Sequence, residues 1–392
     1  MVQQPVSGTA RRPIVVHLTT VDMSLALLLL PQLVAFRDAG YDVVGVSAFG
    51  PHVATLESHG IRHVRLAHST RRADIRADLA AAWEFHAICR TLRPDIVHTH
   101  NPKPGVYGRL VARMAGIPHV VNTVHGLYAQ PTDPLKRRAI VYSAERVAAV
   151  CSDAELLQNE EDLPVLRRLR IPEEKLHLLG NGIDLTRFDP DWLAPARAGV
   201  RAEWGVGDDE VVVGLVARLV AEKGYREIFD AARCIRARHP RTRFVVAGPA
   251  DPDKADAISR AELTAAEADG ITFLGMRHDV ERLYAGMDVY VLASWREGFP
   301  RSAMEAAAMG LPIVATDIRG CRQVVDPGVT GELVPVRDPE ALTSAIERLV
   351  VDVDRRQAMG RAARIKAVKQ FDYRAQVAVT LAIYERLLHG GC

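Results

Sequence analysis

The stretch "PDIVHTHNPKPGVYGRLVARMAGIPHVVNTV", Pro94 to Val124, holds three elements in succession. "PDIVHTH" reads as a strand, a helix follows near residues 105–115, and "IPHVVNTV" reads as a second strand. Two strands joined by a helix run parallel. Both runs are apolar without strict alternation, the mark of a sheet covered on both faces.

Working outward, the same alternation recurs. Upstream lie "IVVHL" (Ile14–Leu18), a helix over 24–39 that Gly40 ends, the strands "YDVVGVS" and "HVRLA", and a helix over 73–92. The pattern weakens at 189–209, where "FDPDWLAPARAG" carries two prolines and a glycine, so a domain linker is predicted over 191–209. It restarts with "VVVGLVA" (Val211–Ala217), a helix from Tyr225, "RFVVAG", "ITFLG", "DVYVLAS" and "LPIVAT". Residues 339–388 read as helix, interrupted at Phe371-Asp372-Tyr373. The fold class is α/β: two doubly wound Rossmann-like domains, 13–190 and 210–370, with a C-terminal helical tail over 371–392.

A length of 392 residues suits two domains, and 48% hydrophobic with 25% charged residues is ordinary for a globular chain. A formal net charge of +2 gives no nucleic-acid signature. The five cysteines form no CxxC pair and their number is odd, which speaks for a reducing cytoplasm over a disulfide framework. Residues 1–12 are polar, lack the apolar centre of a signal peptide and are expected to be a disordered tail. The longest apolar run, Leu25–Pro31, is too short to span a bilayer.

Ligands of open parallel sheets bind at the carboxyl ends of the strands. Four places there carry chemistry. In "ARLVAEKGY", Arg218 and Lys223 are two cations suited to a doubly charged anion, or a solvated pair. In "REGFPRSAMEAAAMG", Pro300 suits a first helical position, and the helix start would favour phosphate. Glu297 lies before that start and Glu305 a turn inside, each able to accept from sugar hydroxyls; the plainer reading pairs Glu305 with a nearby arginine and caps the loop with Glu297. His125 follows the strand "NTV", beside Gly126, where it could touch a reacting sugar or be a satisfied loop residue. His98 and His100 share one face of their strand; lacking a third ligand at a recognisable spacing, they are read as lining the cleft, and no metal site is assigned.

Taken together, "EGFPRSAMEAAAMGLPIVATD", "ARLVAEKGY", "LGNGIDLTRFDP" and "DIVHTHNPKPG" resemble retaining glycosyltransferases of family 4, of GT-B fold, in their capsular and exopolysaccharide branch. The resemblance spans about Ile14 to Leu388. It implies two domains facing each other across a cleft, acceptor side first and donor side second, with the last helix crossing back to the N-terminal domain. It implies transfer of a sugar from a nucleoside diphosphate, UDP- or GDP-linked, to a hydroxyl of a glycan or polyprenyl-linked acceptor. A front-face mechanism without a covalent enzyme intermediate, a metal or a cofactor goes with it. Arg218 and Lys223 match the pair on the donor diphosphate, Glu305 the carboxylate on the nucleotide ribose, and Glu297 the residue at the donor sugar. Gly298, Phe299 and Pro300 match the loop beneath sugar and phosphates, and His125 the histidine that reaches the reaction centre. The turn Asn181–Asp184 matches a structural one.

Thr20, Asn101 and Lys103 are the acceptor-side candidates. Many members carry a glycine pair after the first strand, whereas "TTVDMS" (Thr19–Ser24) has none; its hydroxyls and the following helix start remain candidates for an acceptor phosphate. Arg71-Arg72, Lys103 and Lys136-Arg137-Arg138, the last opening the amphipathic "PLKRRAIVYSAERVAAV", suit an anionic membrane surface on the cytoplasmic side, or equally a solvated face. An epimerase or phosphorylase of the same fold and a non-catalytic sugar-nucleotide binder are the alternatives.

Overall fold

Apolar strands without alternation need helices on both faces, and the computed structural model supplies them in two units. It describes residues 11–72, 74–100, 102–129, 133–251 and 254–390. The first unit holds the chain up to Leu179 and again from Arg374; the second is Gly180–Tyr373.

The first sheet has seven strands: β1 (Ile14–Val21), β2 (Asp42–Ala48), β3 (Arg62–Arg65), β4 (Ile96–His100), β5 (His119–Val124), β6 (Ala154–Leu157) and β7 (Leu176–Leu178). All neighbours pair in parallel, in the order β3-β2-β1-β4-β5-β6-β7. The direction of winding reverses between β1 and β4, which register His17 beside His98. Val16, Val44, Val97 and Val120 pack one face against Phe85 and Val111.

The second sheet has six parallel strands: β8 (Val211–Val216), β9 (Thr242–Ala247), β10 (Ile271–Phe273), β11 (Val289–Leu292), β12 (Ile313–Thr316) and β13 (Gly331–Val334). Their order β10-β9-β8-β11-β12-β13 reverses between β8 and β11. Crevices at these reversals are where doubly wound sheets hold ligands.

β6, β7 and β13 do not stand out in the sequence, because "AELL", "LHL" and "GELV" are too short to show a period. The predicted linker is structured. Residues 190–193 and 196–203 are helices of the second unit, and the two prolines are helix starts, Pro190 at the first position after the cap Asp189 and Pro195 at a cap. Arg197 and Arg201 bind Asp288 at 2.6 and 3.1 Å, which ties these helices to β11. Of the predicted tail, residues 1–10 lie outside the described residues, while Arg11 pairs with Asp95 at 2.6 Å.

The chain enters and leaves the second unit at one point. Ile183 N–H donates to Phe371 O at 2.8 Å, and Tyr373 N–H donates to Ile183 O at 3.2 Å. Gly182 permits this contact, since a Cβ there would stand 2.6 Å from the Tyr373 backbone. The helix Tyr373–His389 then packs Tyr384, fully buried, against Phe36, Tyr41 and His98 of the first unit. Gly182→Ala should destabilise the second unit by about 1–3 kcal/mol, the usual cost of overpacking against backbone; urea unfolding of the two proteins side by side measures it.

Candidate active site

In the second unit, loops after β8 and β11 carry the predicted cations and carboxylates. Gly224 makes their approach possible: its φ is +73°, and a Cβ would fall 2.1 Å from Ala293 O. Trp295 N–H donates to Glu222 O at 2.8 Å and fixes the two loops together. Lys223 Nζ then stands 2.5 Å from Glu297 Oε1, which also accepts from Ser294 Oγ at 2.7 Å. Gly320 gives Glu297 room, because a Cβ at that glycine would come within 2.8 Å of the Glu297 Cβ and carbonyl oxygen.

Arg218 does not share this partner. Its Nη1 binds Asp251 Oδ2 at 2.7 Å, and the side chain is partly exposed. Each predicted cation is thus held by a carboxylate of its own.

Glu305 lies on the helix Arg301–Ala308, whose small residues Ala303, Ala306 and Ala307 are buried. Its Oε1 accepts from Arg301 Nε at 3.0 Å and its Oε2 from the Tyr284 hydroxyl at 3.0 Å. Burial pushes the Glu305 carboxyl up against the opposing pull of Arg301, and it pushes the Tyr284 phenol well up. The arginine partnership foreseen as the plainer reading is therefore present. Pro300 is the cap and not the first helical residue: its ψ of 108° is extended, and no side chain caps this helix start. Phe299, after Gly298, packs edge-on against Phe371, and its carbonyl accepts from Asn181 Nδ2 at 3.3 Å. Asp251, Ser294 and Tyr284 went unnoticed in the sequence; only their places after or near strand ends could have marked them.

In the first unit, His98 and His100 do point to one face, their rings stacked at 4.3 Å. They do not line an open surface, being 2% and 1% exposed. The third histidine absent from the local spacing is His17, delivered by the β1–β4 register. Nitrogens of His17, His98 and His100 lie within 4.8 Å of one another, the one such cluster among the described residues. They are taken up by hydrogen bonds: His17 Nδ1 to His100 Nε2 at 3.0 Å, His98 Nδ1 to the Tyr384 hydroxyl at 2.5 Å, and His98 Nε2 to Thr123 Oγ1 at 2.7 Å. His125, after β5, joins them, with Nε2 3.1 Å from His100 Nδ1 and Nδ1 3.1 Å from Gln158 Oε1.

Thr19 and Thr20 belong to β1 rather than to a loop, and the strand passes into helix at Asp22, so no hydroxyl-lined turn forms. Lys103 Nζ binds Asp78 at 2.7 Å and the carbonyls of Thr70 and Arg72. The Thr20 carbonyl accepts from Ser69 at 2.8 Å, so Thr20 and Lys103 both secure segment 69–72. Asn101 lies outside the described residues. Beside Lys103 and His125 opens a cavity of about 510 Å³, walled by Val106, Tyr107, Ile140 and Val141.

Two doubly wound parallel sheets, one following the other along the chain, are the architecture of the GT-B glycosyltransferases. The chain belongs to glycosyltransferase family 4: residues 32–187 match the model "Glycosyltransferase Family 4" and residues 210–352 match "Glycosyl transferases group 1". It is 31% identical over 302 residues to the alpha-D-kanosaminyltransferase of Streptomyces kanamyceticus, covering 71% of this chain and 75% of that one. It is 28% identical over 286 residues to the UDP-Gal:alpha-D-GlcNAc-diphosphoundecaprenol alpha-1,3-galactosyltransferase of Escherichia coli (72% and 73%), and 28% over 363 residues to the putative glycosyltransferase EpsD of Bacillus subtilis (89% and 91%). Among solved structures, Anabaena Alr3699/HepE in complex with UDP and glucose superposes with a TM-score of 0.77 at 19% identity, over 96% of this chain and 99% of that one.

Burial lowers His17 to about 3 and His125 to about 4, Gln158 opposing in the latter; His98 and His100 are lowered well below 6.5 by burial and by neighbouring histidines. Unfolded imidazoles take up protons near pH 6.5 and these do not, so their stabilisation is complete above that pH and is lost as pH falls toward 4. Each histidine contributes a slope of about 1.4 kcal/mol per pH unit. The raised Glu145 carboxyl acts in the opposite sense. Thermal unfolding at pH 7.5 and 5.0 should show a marked loss at the lower pH, and His17→Phe should shrink that difference.

Proposed function

We propose that the protein transfers a sugar, with retention, from a UDP- or GDP-linked donor to a hydroxyl of a lipid-linked glycan in surface polysaccharide or glycoconjugate synthesis. The observation that carries this is the Lys223–Glu297–Ser294 cluster, formed by the loops after β8 and β11 at the reversal of the second sheet, with Arg218 on the first of those loops. Lys223 and Arg218 would turn from their carboxylates to the donor diphosphate, joined by the helix start at Arg301, and stabilise charge as the sugar–phosphate bond breaks. Released from Lys223, Glu297 would accept from donor-sugar hydroxyls. Glu305 would accept from the ribose. The acceptor hydroxyl would lose its proton to the departing phosphate oxygen on the same face, and His125 would hydrogen-bond the sugar. No resident cofactor is called for. The names of the Escherichia coli relative and the Anabaena complex, with their UDP-linked sugar and UDP, favour a uridine donor.

Thermal shift with UDP-, GDP- and ADP-sugars tests the donor site. A donor at ~100 times its Kd adds about 2.7 kcal/mol of stability to the wild type. One nucleotide class should stabilise the protein and Glu305→Ala should lose that shift; no shift with any class rejects the reading. Donor turnover without acceptor would indicate an epimerase.

The acceptor reading extends to a membrane. Leu135 and Ile140 are exposed on the helix Leu135–Val150, next to Lys136, Arg137 and Arg138. Ile75, Leu79 and Trp83 form a second exposed apolar stripe along the helix Ile75–Leu92. Both helices pack on the intervening helix Pro102–Met114, and all three contribute walls to the 510 Å³ cavity. No helix among the described residues is long and apolar enough to cross a bilayer. We expect phosphatidylglycerol vesicles to sediment the protein at low salt, and reversal of Lys136, Arg137 and Arg138 to Glu to abolish this at about 1 kcal/mol per charge. Indifference of the wild type to such vesicles refutes the membrane assignment.

A further inference from the structure

We infer that His17, His100 and His125 form one hydrogen-bonded file whose ring tautomers are locked together, so that Tyr384 and Gln158, at its two ends, are positioning residues for His125. The inference rests on the role proposed for His125 and adds the atom and the hydrogen-bonding sense with which that ring meets a ligand.

The file is continuous. Thr123 Oγ1 lies 2.7 Å from His98 Nε2, His98 Nδ1 2.5 Å from the Tyr384 oxygen, and that oxygen 3.4 Å from His17 Nε2. His17 Nδ1 lies 3.0 Å from His100 Nε2, His100 Nδ1 3.1 Å from His125 Nε2, and His125 Nδ1 3.1 Å from Gln158 Oε1. Every imidazole spends both nitrogens. A neutral imidazole has one N–H and one bare nitrogen, so the direction of any link dictates the next.

With the Gln158 oxygen as acceptor, His125 carries its hydrogen on Nδ1. Its bare Nε2 then accepts from His100 Nδ1–H, and His100 Nε2 accepts from His17 Nδ1–H. The Tyr384 hydroxyl donates to His17 Nε2 and accepts from His98 Nδ1–H, and Thr123 donates to His98. No nitrogen is left with two hydrogens or with none. Reversing one link alone would set two bare nitrogens, or two N–H groups, against each other, and His17, His98, His100 and Tyr384 are at most 2% exposed. The file therefore reverses as a whole or not at all, and the orientation of the Gln158 amide selects its direction.

This has a consequence for the ligand. Letting go of Nε2 would strand the buried His100 N–H. A sugar oxygen at His125 therefore competes with Gln158 for Nδ1 and meets a donor. The helix bearing Tyr384 reaches the site through this file without touching the ligand.

The test is long-range proton–nitrogen NMR of the full chain labelled with ¹⁵N-histidine, with assignments from single histidine substitutions. In the wild type, His17, His100 and His125 should all show the Nδ1–H form. In Gln158→Leu the three should move together toward averaged nitrogen shifts, whereas Gln158→Glu, an acceptor only, should hold the single form. His100→Phe keeps the ring stack but can neither donate nor accept, and should leave His125 in the Nδ1–H form held by Gln158 while His17, cut off from Gln158, averages. With a donor sugar, Gln158→Leu should lower kcat by about tenfold, equivalent to roughly 1.4 kcal/mol. Donor KM should stay nearly constant, and Gln158→Glu should lose less. Different tautomers at His100 and His125 in the wild type, or a change at His125 in Gln158→Leu that leaves His17 and His100 unmoved, overturns the inference. If no sugar nucleotide is turned over yet the three rings respond together, the file stands and the transferase reading falls.

Discussion

Desolvation at the carboxyl edge of a two-faced parallel sheet governs how this molecule is built. Helices cover both faces, so polar side chains near strand ends must find partners inside the protein or in a ligand. The first unit meets this demand with buried histidines from β1 and β4, His17 bonded to His100 and His98 to Tyr384, as well as with charge pairs such as Arg109 on Glu155. The second meets it with charge pairs: Lys223 on Glu297, Arg218 on Asp251, Arg301 on Glu305.

The charge pairs do more than satisfy burial. A lysine held 2.5 Å from a carboxylate is already partly desolvated and already placed. The diphosphate of the proposed donor would exchange one anionic partner for another and would not strip water from a free cation, which would lower the reorganisation required at the moment of reaction. Glu305 is held differently. Tyr284 and Arg301 satisfy both oxygens, and burial raises the carboxyl, so its alignment depends on neighbours that a single substitution leaves unsatisfied.

What could be read from the sequence was what is local along the chain. Long apolar strands, their helices and two sheets were visible, and the charges Arg218, Lys223 and Glu297 stood out because they follow strand ends, with Glu305 on the helix beyond. Strands of three or four residues such as β7 and β13 carry no period, and the prolines of 190–195 signal helix starts as well as they signal a linker. The partners were hidden for a different reason. Asp251 lies 33 positions from Arg218, Gln158 lies 33 from His125, and Tyr384 lies 286 from His98, separations that only the strand order brings together. His17 sits in an otherwise apolar run, and that polar intrusion was the one sequence signal for the buried file.

A transfer of the proposed kind would ask the protein to hold two kinds of substrate. A nucleoside diphosphate brings concentrated negative charge, and the unit with exchangeable cations is suited to it. An acceptor of the proposed kind would present an uncharged hydroxyl, to which the buried imidazoles and the largely apolar cavity of the first unit are suited. A cationic histidine beside His100 would have to carry its charge among residues excluded from water, and burial forbids it. The first unit could thus orient a hydroxyl or a sugar oxygen through hydrogen bonds of fixed sense.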